Sequence, residues 1–387
     1  MLEGVNVALG VTGSIAAVKV VELAHELRRR GASVRAVMTE SARGIIDPRA
    51  VAFATEHEVA TEITGAVEHV ELCGREGWAD VYLIAPATAN TVGKVAAAVD
   101  DTPVTTAATT ALGADVPVVV APAMHEPMYD HPGVLESLER VESWGVDVVD
   151  PRVEEGKAKI ATVDAICLDV ARAVGERPLD GERVVVTSGA TSERIDPVRV
   201  LTNRSSGRTG RAVARACYVR GADVTLVHDG DDVPYADVER VESAAEMLAA
   251  VLGACGDADA LLSVAAISDY TVEPAEEKIR SGGDLTLDLE ATPKLLDTVR
   301  EEHPALPLVG FKAETSGDDG AMVREARRIM ERAGLAFVVA NDASVMGRDE
   351  TRALVVRPEA YDEYTGSKGG LGSRVADELV AVLADAS

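Results

Sequence analysis

The sequence is poor in aromatic residues and in cysteine. Phe, Trp and Tyr make up 3% of the 387 residues, so the hydrophobic core must be built from Val, Ala, Leu and Ile. The cysteines are Cys73, Cys167, Cys217 and Cys255, and none of them forms a CxxC pair or has the spacing of a metal site. This pattern argues against a disulfide-stapled secreted domain and predicts four structural thiols in a reducing compartment.

The sequence also lacks long apolar runs and an excess of positive charge. No run approaches the ~20 apolar residues that cross a bilayer, and the segment MLEGVNVALG has no basic start of a secretory signal. We therefore expect a cytoplasmic protein with no membrane partner. The formal net charge is −27, which argues against a nucleic-acid partner. Such acidity is typical of proteins from salt-rich cytoplasms and suggests a halophilic source.

Strand and helix patterns alternate along the chain in two blocks. In the first block, residues 5–10, 33–38, 79–85 and 116–121 are short apolar runs, typical of strands buried on both faces of a parallel sheet. The polar segment 175–181, GERPLDG, then interrupts the pattern, which restarts at residue 184. We predict an α/β fold of two doubly wound, Rossmann-like parallel-sheet domains in tandem, over residues 1–176 and 177–387.

Residues 187–210, TSGATSERIDPVRVLTNRSSGRTG, form a basic island in this acidic chain. Seven arginines fall between Arg194 and Arg220, with Asp196 as the only acidic residue among them. A small-residue turn, residues 205–207, leads from an apolar strand into a helical pattern. Because the first N–H groups of a helix are unpaired and its dipole is positive there, this geometry suits a phosphate. The alternative for the arginines beyond the turn is an exposed helical stripe.

Small hydroxyl-bearing loops follow three strands of the first block. They contain Thr12, Gly13 and Ser14 after the first strand, Thr39 and Ser41 after the second, and Pro86, Ala87, Thr88 and Asn90 after the third. The carboxyl ends of parallel strands are where open α/β sheets bind ligands. There is no GxGxxG fingerprint, so a dinucleotide is not indicated and a dehydrogenase is disfavoured.

Longer motifs carry a family resemblance. The segments GVTGSIAA, EHVEL with WAD, LIAPATANTVGKVA and PAMHEPMY resemble the flavoproteins that decarboxylate 4′-phosphopantothenoylcysteine. The 187–210 segment, with VAAISDY, EEKIR, VGFKAET and VANDAS, resembles phosphopantothenate–cysteine ligase. The two in this order are similar to the bifunctional coenzyme A biosynthesis proteins of bacteria and archaea, over nearly the whole chain.

For the first half, the resemblance implies FMN held by the three hydroxyl-bearing loops and a decarboxylation that yields 4′-phosphopantetheine. His69 matches the catalytic histidine of the family, and an imidazole side chain suits acid–base work. Two departures favour the archaeal branch. His125 stands where bacterial members have Asn, and residues 154–159, EEGKAK, lack the cysteine that protonates the intermediate. Three residues are candidates for that role: His125, which alternatively holds the substrate carboxylate, and Lys157 or Lys159.

For the second half, the resemblance implies CTP-dependent ligation of 4′-phosphopantothenate with cysteine through an acyl-cytidylate. Arg199 and Asn203 match residues that act on that intermediate, and Lys278 matches a flap lysine. The implied CTP site comprises Ser263, Val264, Ala265, Ala266, Asp269, Lys278, Pro293, Lys294, Leu295, Leu296, Phe311, Arg328 and Arg332. Mg²⁺ is expected with the triphosphate, although no carboxylate cluster marks its ligands.

Other functions remain open at this stage. The flavoprotein half alternatively acts on another cysteine-containing substrate, or is regulatory while the ligase half is active, because its expected proton donor is missing. The resemblance also implies a homo-oligomer. Its partners are then small molecules: 4′-phosphopantothenate, cysteine, CTP and phosphopantothenoylcysteine.

Overall fold

The computed structural model describes residues 1–154, 157–280, 282–314, 318–342 and 350–386. The chain divides into two compact units, Met1–Gly175 and Glu176–Ser387. Each unit has its own sheet and its own core of buried aliphatic side chains. Within the described residues no helix is both long enough and apolar enough to span a bilayer.

The first unit is built on a five-stranded parallel sheet. The strands of this unit are β1 (Asn6–Val11), β2 (Ser33–Met38), β3 (Val81–Ala87), β4 (Val118–Pro122), β5 (Met124–His125), β6 (Asp147–Val148), β7 (Arg152–Glu154) and β8 (Lys157–Lys159). The main sheet has the order β2-β1-β3-β4-β6, and a separate antiparallel sheet has the order β5-β8-β7. Strand β3 is buried along its whole length, which explains why its sequence is a continuous apolar run.

Helices connect the parallel strands of the first unit. They are α1 (Val20–Arg29), α2 (Glu40–Arg43), α3 (Pro48–Thr55), α4 (Glu68–Cys73), α5 (Ala89–Ala96), α6 (Pro103–Gly113), α7 (Glu126–Tyr129), α8 (Pro132–Glu142) and α9 (Val163–Val174). The helical pattern of residues 14–30 predicts one helix, but its first turns form a separate 3₁₀ helix, Ile15–Lys19, that precedes α1. The Ser14 side chain caps that 3₁₀ helix by accepting a hydrogen bond from the Ala16 N–H.

The second unit is built on an eight-stranded mixed sheet. Its strands are β9 (Arg183–Thr187), β10 (Ser192–Arg194), β11 (Val200–Thr202), β12 (Asp223–His228), β13 (Asp237–Arg240), β14 (Ala260–Ser263), β15 (Tyr270–Val272), β16 (Leu289–Ala291), β17 (Leu308–Glu314), β18 (Phe337–Asp342), β19 (Glu350–Val356) and β20 (Tyr361–Ser367). The sheet order is β13-β12-β9-β14-β17-β18-β19-β20. The first six strands in this order are parallel; five of them were predicted and β13 was not, and β19 and β20 are antiparallel additions at the other edge.

Helices of the second unit cover both faces of this sheet. They are α10 (Arg208–Val219), α11 (Ala244–Ala254), α12 (Leu295–Glu302), α13 (Asp319–Ala333) and α14 (Lys368–Ala386). Helix α10 packs along α14 and against β9 and β12. Two short antiparallel strand pairs, β10–β11 and β15–β16, lie outside the main sheet. The order of the parallel strands is that of a doubly wound α/β fold, whose ligands bind where the strand order reverses.

Candidate active sites

In the first unit, the Thr12 side chain bridges the carboxyl ends of β1 and β3. The order of the strands reverses between these two neighbours. Strand β1 pairs with β2 on one side and β3 on the other, so the crevice opens between the carboxyl ends of β1 and β3. The buried Thr12 hydroxyl donates to the Pro86 carbonyl at 2.7 Å and accepts from the Thr88 N–H at 3.2 Å. The structure therefore shows Thr12 positioning the Pro86–Thr88 loop.

The other hydroxyls of these loops cap short helices. The Thr39 hydroxyl accepts from the Ala42 N–H at 3.2 Å and lies 3.0 Å from the Ser41 hydroxyl. Thr88 caps α5 in the same way, accepting from the Thr91 N–H. Gly13 permits the close approach of two loops, because a Cβ there would lie 2.4 Å from the Ser41 Oγ. The caps place several helix N-termini at this edge of the sheet.

A cleft of about 580 Å³ opens beside these loops. The predicted residues Gly13, Ser14, Thr88 and His125 line it, whereas Thr12, Thr39, Ser41, Pro86, Ala87 and Asn90 are not among its lining residues. Its apolar wall comprises Ile15, Ala16, Val18, Ala89, Ala123, Met124, Met128 and Ile160. Its size and its apolar wall with few polar groups are typical of a cofactor or substrate site. The arrangement suits a flat apolar ring with a polar tail.

The β5-β8-β7 sheet adds polar side chains to this cleft. His125 on β5 pairs with β8, and Arg152 on β7 lies opposite Lys159 on β8. His125, Arg152 and Lys159 all line the cleft. Arg152 was not predicted, because only the folding of the β7–β8 hairpin brings residues 152 and 159 to the cleft that Gly13 and Ser14 line. The side chain of Lys157 lies outside the described part of the structure.

His69 lies on a different element, α4. It lies in the first turn of α4 and is half-buried, and it is not among the residues that line the cleft. Its Nδ1 atom is buried without a hydrogen-bond partner in the protein. A buried ring nitrogen without a partner is costly, so it marks a place where a ligand or water atom is expected.

In the second unit, Thr187 plays the same positioning role as Thr12. The sheet order reverses between β9 and β14. The Thr187 side chain accepts from the Val264 N–H at 3.0 Å and the Ala265 N–H at 3.1 Å. Further along, the Thr191 hydroxyl accepts from the Ser268 N–H at 2.8 Å. These bonds fix the loop after β14, residues 264–268, against the loop after β9.

The turn before α10 is held by glycines and one buried serine. The Ser188 hydroxyl donates to the Gly207 carbonyl at 2.8 Å. Gly207 has φ +67° and begins α10 without a side-chain cap, so its left-handed backbone favours glycine. A Cβ on Gly210 would lie 2.5 Å from the Ser188 Oγ. The close packing leaves the N-terminus of α10 at the carboxyl edge of the sheet, where the sequence predicted an anion site.

Asp196 anchors the segment that contains Lys278. Its fully buried carboxylate accepts from the N–H groups of Val198 and Arg199 at 2.8 Å each, and from the Ile279 N–H at 3.1 Å. It also pairs with the Arg199 guanidinium, which donates to the Ile279 carbonyl at 3.1 Å. Burial opposes ionisation, but the backbone donors and Arg199 outweigh it and lower the pKa of Asp196. Arg199 and the neighbour of Lys278 are thus brought together.

Asn203 is hydrogen-bonded to residues 263–266, which the family resemblance places in the CTP site. Its Nδ2 donates to the Ala266 carbonyl at 3.0 Å, and Ala266 is also paired with Ala190 through a backbone bridge. An amide nitrogen carries two N–H groups, so one bond orients the side chain while the other N–H is directed elsewhere. The contact joins Asn203 to the Ser263, Val264, Ala265 and Ala266 segment named from the sequence.

The remaining predicted residues form two groups. Lys294, at the start of α12, donates to the Asp269 carboxylate at 2.5 Å, so these two lie together with Pro293, Leu295 and Leu296 nearby in the chain. Arg332 on α13 pairs with Asp297 of α12 at 3.3 Å, whereas Arg328 pairs with Glu325 on its own helix at 2.7 Å. Phe311 is partly buried in β17. Among the described residues, Arg328 has no hydrogen bond or ion pair with residues 263–266.

Neither unit shows a metal cluster among the described residues, where no group of three His, Cys, Asp or Glu side chains is suitably placed. The four cysteines form no disulfide and are buried, as expected. Burial raises the pKa of Cys73 and of Cys217 to about 12. These thiols are therefore poor proton donors or nucleophiles at neutral pH.

Comparisons with known proteins decide the family. Residues 1–175 match the Flavoprotein family, and residues 179–383 match the DNA/pantothenate metabolism flavoprotein C-terminal domain. The coenzyme A biosynthesis bifunctional protein CoaBC of Thermococcus kodakarensis is 47% identical over 390 residues, 99% of this chain and 96% of that protein. The chain belongs to the family of bifunctional coenzyme A biosynthesis proteins. The archaeal type expected from its motifs fits this relative.

A second relative supports this assignment. The CoaBC protein of Methanocaldococcus jannaschii is 34% identical, over 98% of this chain and 94% of its own length. A solved structure of the C-terminal domain of a CoaBC protein is 28% identical, covers 54% of this chain and 100% of that chain, and has a TM-score of 0.47. The chain is thus a bifunctional enzyme of coenzyme A biosynthesis, with a flavoprotein decarboxylase half and a ligase half, as its motifs predicted.

Proposed function

We propose that residues 1–176 bind FMN and decarboxylate 4′-phosphopantothenoylcysteine, and that residues 177–387 make this substrate from 4′-phosphopantothenate, cysteine and CTP. The observation that carries the first assignment is the cleft at the β1–β3 edge, where an apolar wall meets the Ser14 and Thr88 hydroxyls, helix N-termini and Lys19. This donor set fits a flavin mononucleotide, whose ring is apolar and whose tail is anionic.

Within the cleft, Gly13, Ser14 and Thr88 would hold the FMN, with Thr12, Thr39, Ser41, Pro86, Ala87 and Asn90 supporting their loops. When bound, the flavin supplies the reversible oxidation that makes loss of carbon dioxide possible. The protein's part is to orient the substrate and to move protons. His125 and Lys159 line the cleft and are the supported candidates for holding the carboxylate and for returning the final proton.

His69 is proposed as the acid–base residue of the decarboxylase. Its buried, unpartnered Nδ1 supports this role, because that atom needs a partner which the protein does not supply. His69→Asn is expected to abolish decarboxylation while flavin absorbance and ligase activity persist. Normal turnover of phosphopantothenoylcysteine by this variant would remove His69 from the mechanism. His125→Ala with turnover within about twofold of wild type would remove the role of His125.

In the ligase half, Asn203 would donate to the oxyanion that forms when cysteine attacks the acyl-cytidylate, and Arg199 would neutralise its phosphate. The Ala266 bond that orients Asn203 and the Asp196 anchor of Arg199 support these roles. Lys278 would neutralise charge as the cytidylate forms. The cytidine would lie against the 263–266 loop, Asp269, Lys294 and Phe311, with Arg328 and Arg332 as further cations. Mg²⁺ would arrive with the triphosphate.

One incubation tests both halves. The FMN-loaded enzyme is given 4′-phosphopantothenate, cysteine and either CTP or ATP, and the products are followed by pyrophosphate release and mass analysis. Phosphopantetheine formed only when all components and CTP are present supports the whole scheme. Pyrophosphate release without the ligated product, or ligated product that is never decarboxylated, would reject one half and leave the other.

The proposal also covers the oligomeric state of the enzyme and the salt concentration in which it works. A cytoplasmic homo-oligomer is the expected form, and the net charge of −27 supports a salt-rich cytoplasm, because concentrated salt screens carboxylate repulsion. Sedimentation at several salt concentrations tests both ideas. A monomer that is fully folded and active in dilute buffer without salt would contradict them.

A further inference from the structure

The turn before His69 contains a strained residue. Val67 has φ +57° and ψ +48°, in the left-handed region that β-branched residues rarely adopt. It is the N-cap of α4 and lies two positions before His69. Such a conformation persists only where the surrounding structure imposes it, and residues of this kind cluster at functional sites. The interactions on either side of Val67 therefore determine the direction of the first turn of α4.

Two side chains, Thr64 and Glu68, form a clamp across Val67. The Glu68 carboxylate accepts from the Thr64 N–H at 2.9 Å through Oε2, and from the Thr64 hydroxyl through Oε1. The same hydroxyl accepts from the Ala66 N–H at 3.2 Å. Hydrogen bonds from Thr64 outweigh desolvation and lower the pKa of Glu68, so its carboxylate is charged at neutral pH. The Thr64–Glu68 clamp is therefore a charge-assisted contact that closes the turn.

The backbone of the same segment is also hydrogen-bonded. The Val67 N–H donates to the Thr64 carbonyl at 3.2 Å. The Val67 carbonyl accepts from the Val70 N–H at 2.9 Å and from the Glu71 N–H at 3.2 Å. These bonds connect the clamp to the first turn of α4, in which His69 lies.

The two ends of α4 are held in different ways. At its C-terminal end, Leu72 and Cys73 are buried in the core of the first unit. At the other end, residues 62–67 are all exposed. Apolar packing therefore anchors the far end of the helix, and the turn that precedes His69 depends on its local hydrogen bonds.

We propose that Thr64 and Glu68 are positioning residues of the decarboxylase, which hold the left-handed turn at Val67 and thereby orient the His69 ring; this inference rests on the proposed function of His69. Neither residue touches the substrate or exchanges a proton in this scheme. A reacting group that is misplaced by about 1 Å can lose about 100-fold in rate, so the clamp acts on kcat rather than on substrate binding.

The test compares Glu68→Gln and Thr64→Val with the wild type, each loaded with FMN and given 4′-phosphopantothenoylcysteine. The amide of Gln has one acceptor oxygen where the carboxylate has two, and Val keeps the shape of Thr but lacks the hydroxyl. Each change should lower kcat about 10- to 100-fold and leave KM within about twofold. Thr64→Ser, which restores the hydroxyl, should recover most of the lost kcat.

Glu71→Gln is the matched control, because it makes the same chemical change on the same helix, two residues after His69. The Glu71 carboxylate pairs with Arg35 at 3.0 Å, and its side chain is 63% exposed. Its kcat should stay within about twofold of the wild type. Flavin absorbance and ligase activity report whether each variant is folded. Equal losses of kcat in Glu68→Gln and Glu71→Gln would overturn the inference, since they would reflect the general stability of α4.

Variants of Val67 test the conformation of the turn directly. Val67→Gly removes the steric cost of the left-handed region and should keep kcat near that of the wild type while the clamp is intact. Val67→Pro fixes φ at about −65° and removes the N–H that donates to Thr64, so it should lose at least as much kcat as Glu68→Gln. Full activity of Val67→Pro would show that the left-handed turn is not needed and would overturn the inference.

Hydrogen exchange separates this inference from the proposed function. Exchange of the Val70 amide should accelerate in Glu68→Gln and Thr64→Val but not in Thr64→Ser or the control, whatever the chemistry of His69. If His69→Asn is inactive while Glu68→Gln opens the turn without lowering kcat, the positioning role is wrong and the proposed function stands. If His69→Asn turns over normally, the proposed function of His69 fails and the positioning role fails with it. Unchanged Val70 exchange in Glu68→Gln would show that the clamp does not hold the turn.

Discussion

The carboxylate of Asp196 should stabilise the second unit and hold the Lys278 segment in place. Asp196→Asn preserves the shape of the side chain but replaces one acceptor oxygen with an amide. If the amide oxygen stays with the Val198 and Arg199 N–H groups, its NH₂ faces the Ile279 N–H and the guanidinium. One backbone hydrogen bond and one charged pair are then lost.

The magnitude follows from these two contacts. Each bond to a charged group contributes about 1.5–3 kcal/mol, and a buried donor left without a partner adds to the cost. The Arg199 side chain is 41% exposed, so its guanidinium regains water and part of the loss is recovered. We expect the free energy of unfolding to fall by about 2–4 kcal/mol in urea titrations of the second unit. Because the folded pKa of Asp196 is lowered, its contribution is fully present above the ordinary carboxyl pKa of 3.8 and is lost as pH falls through the folded value.

The test measures both the stability and the ligase activity of Asp196→Asn. Hydrogen exchange at the Ile279 amide should accelerate in Asp196→Asn, and ligase turnover should fall because Lys278 is no longer held. Asp232→Asn is the control, since Asp232 is 80% exposed in its pair with Arg240 and should change stability by less than about 0.5 kcal/mol. If both variants unfold at the same urea concentration and ligate equally fast, the anchoring argument is refuted.

Three further predictions concern packing and protonation. Gly210→Ala places a Cβ 2.5 Å from the Ser188 Oγ and should destabilise the second unit by about 1–3 kcal/mol in urea titrations, whereas Gly253→Ala, with open space around the new Cβ, should be neutral or stabilising. His228 is buried, and burial together with Arg211 lowers its pKa despite the opposing Asp229, so stability should fall as pH drops below 6.5, by at most about 1.4 kcal/mol per pH unit. His228→Phe should flatten this acid limb, and an unchanged slope would contradict the assignment. The cysteines should react with a thiol reagent only on unfolding, because burial raises the pKa of Cys217 to about 12 and that of Cys255 to about 11; immediate reaction of the native protein would show that they are accessible.

The parallel strands were predictable because a strand that is buried on both faces has a continuous run of apolar residues in its sequence. Strands β3 and β4 are buried at every position, and their sequences are continuous apolar runs. The edge strand β20 lacks that signal, since its residues are mostly exposed, and it was not predicted. Helix α6 was also missed. Its sequence is rich in Thr, which has low helix propensity, and tertiary packing of Val104 and Ala108 stabilises it instead.

The candidate sites were predictable only where chain order places residues at strand ends. Ser14 and Thr88 lie at such ends and do line the cleft. Arg152 lies on a hairpin far along the chain, and no local pattern distinguishes it from a surface arginine. Ile15 and Val18 also line the cleft with side chains that are 79% and 56% exposed, but only the structure shows this, because the sequence does not tell which apolar residues face solvent.

The two units solve one structural problem in the same way, although their sequences show no repeat. In each sheet the strand order reverses beside the strand that comes first in the chain, β1 or β9. A threonine at the end of that strand bonds to the loop on the other side of the crevice. Thr12 bonds to the loop at the end of β3, and Thr187 bonds to the loop that follows β14. Because these hydroxyls are used in hydrogen bonds within the protein, we expect ligand recognition to depend on backbone N–H groups at helix starts and on side chains from elsewhere in the chain, such as Lys278 in the proposed ligase site. Small-residue loops at both sheet edges therefore indicate a phosphorylated ligand without identifying it.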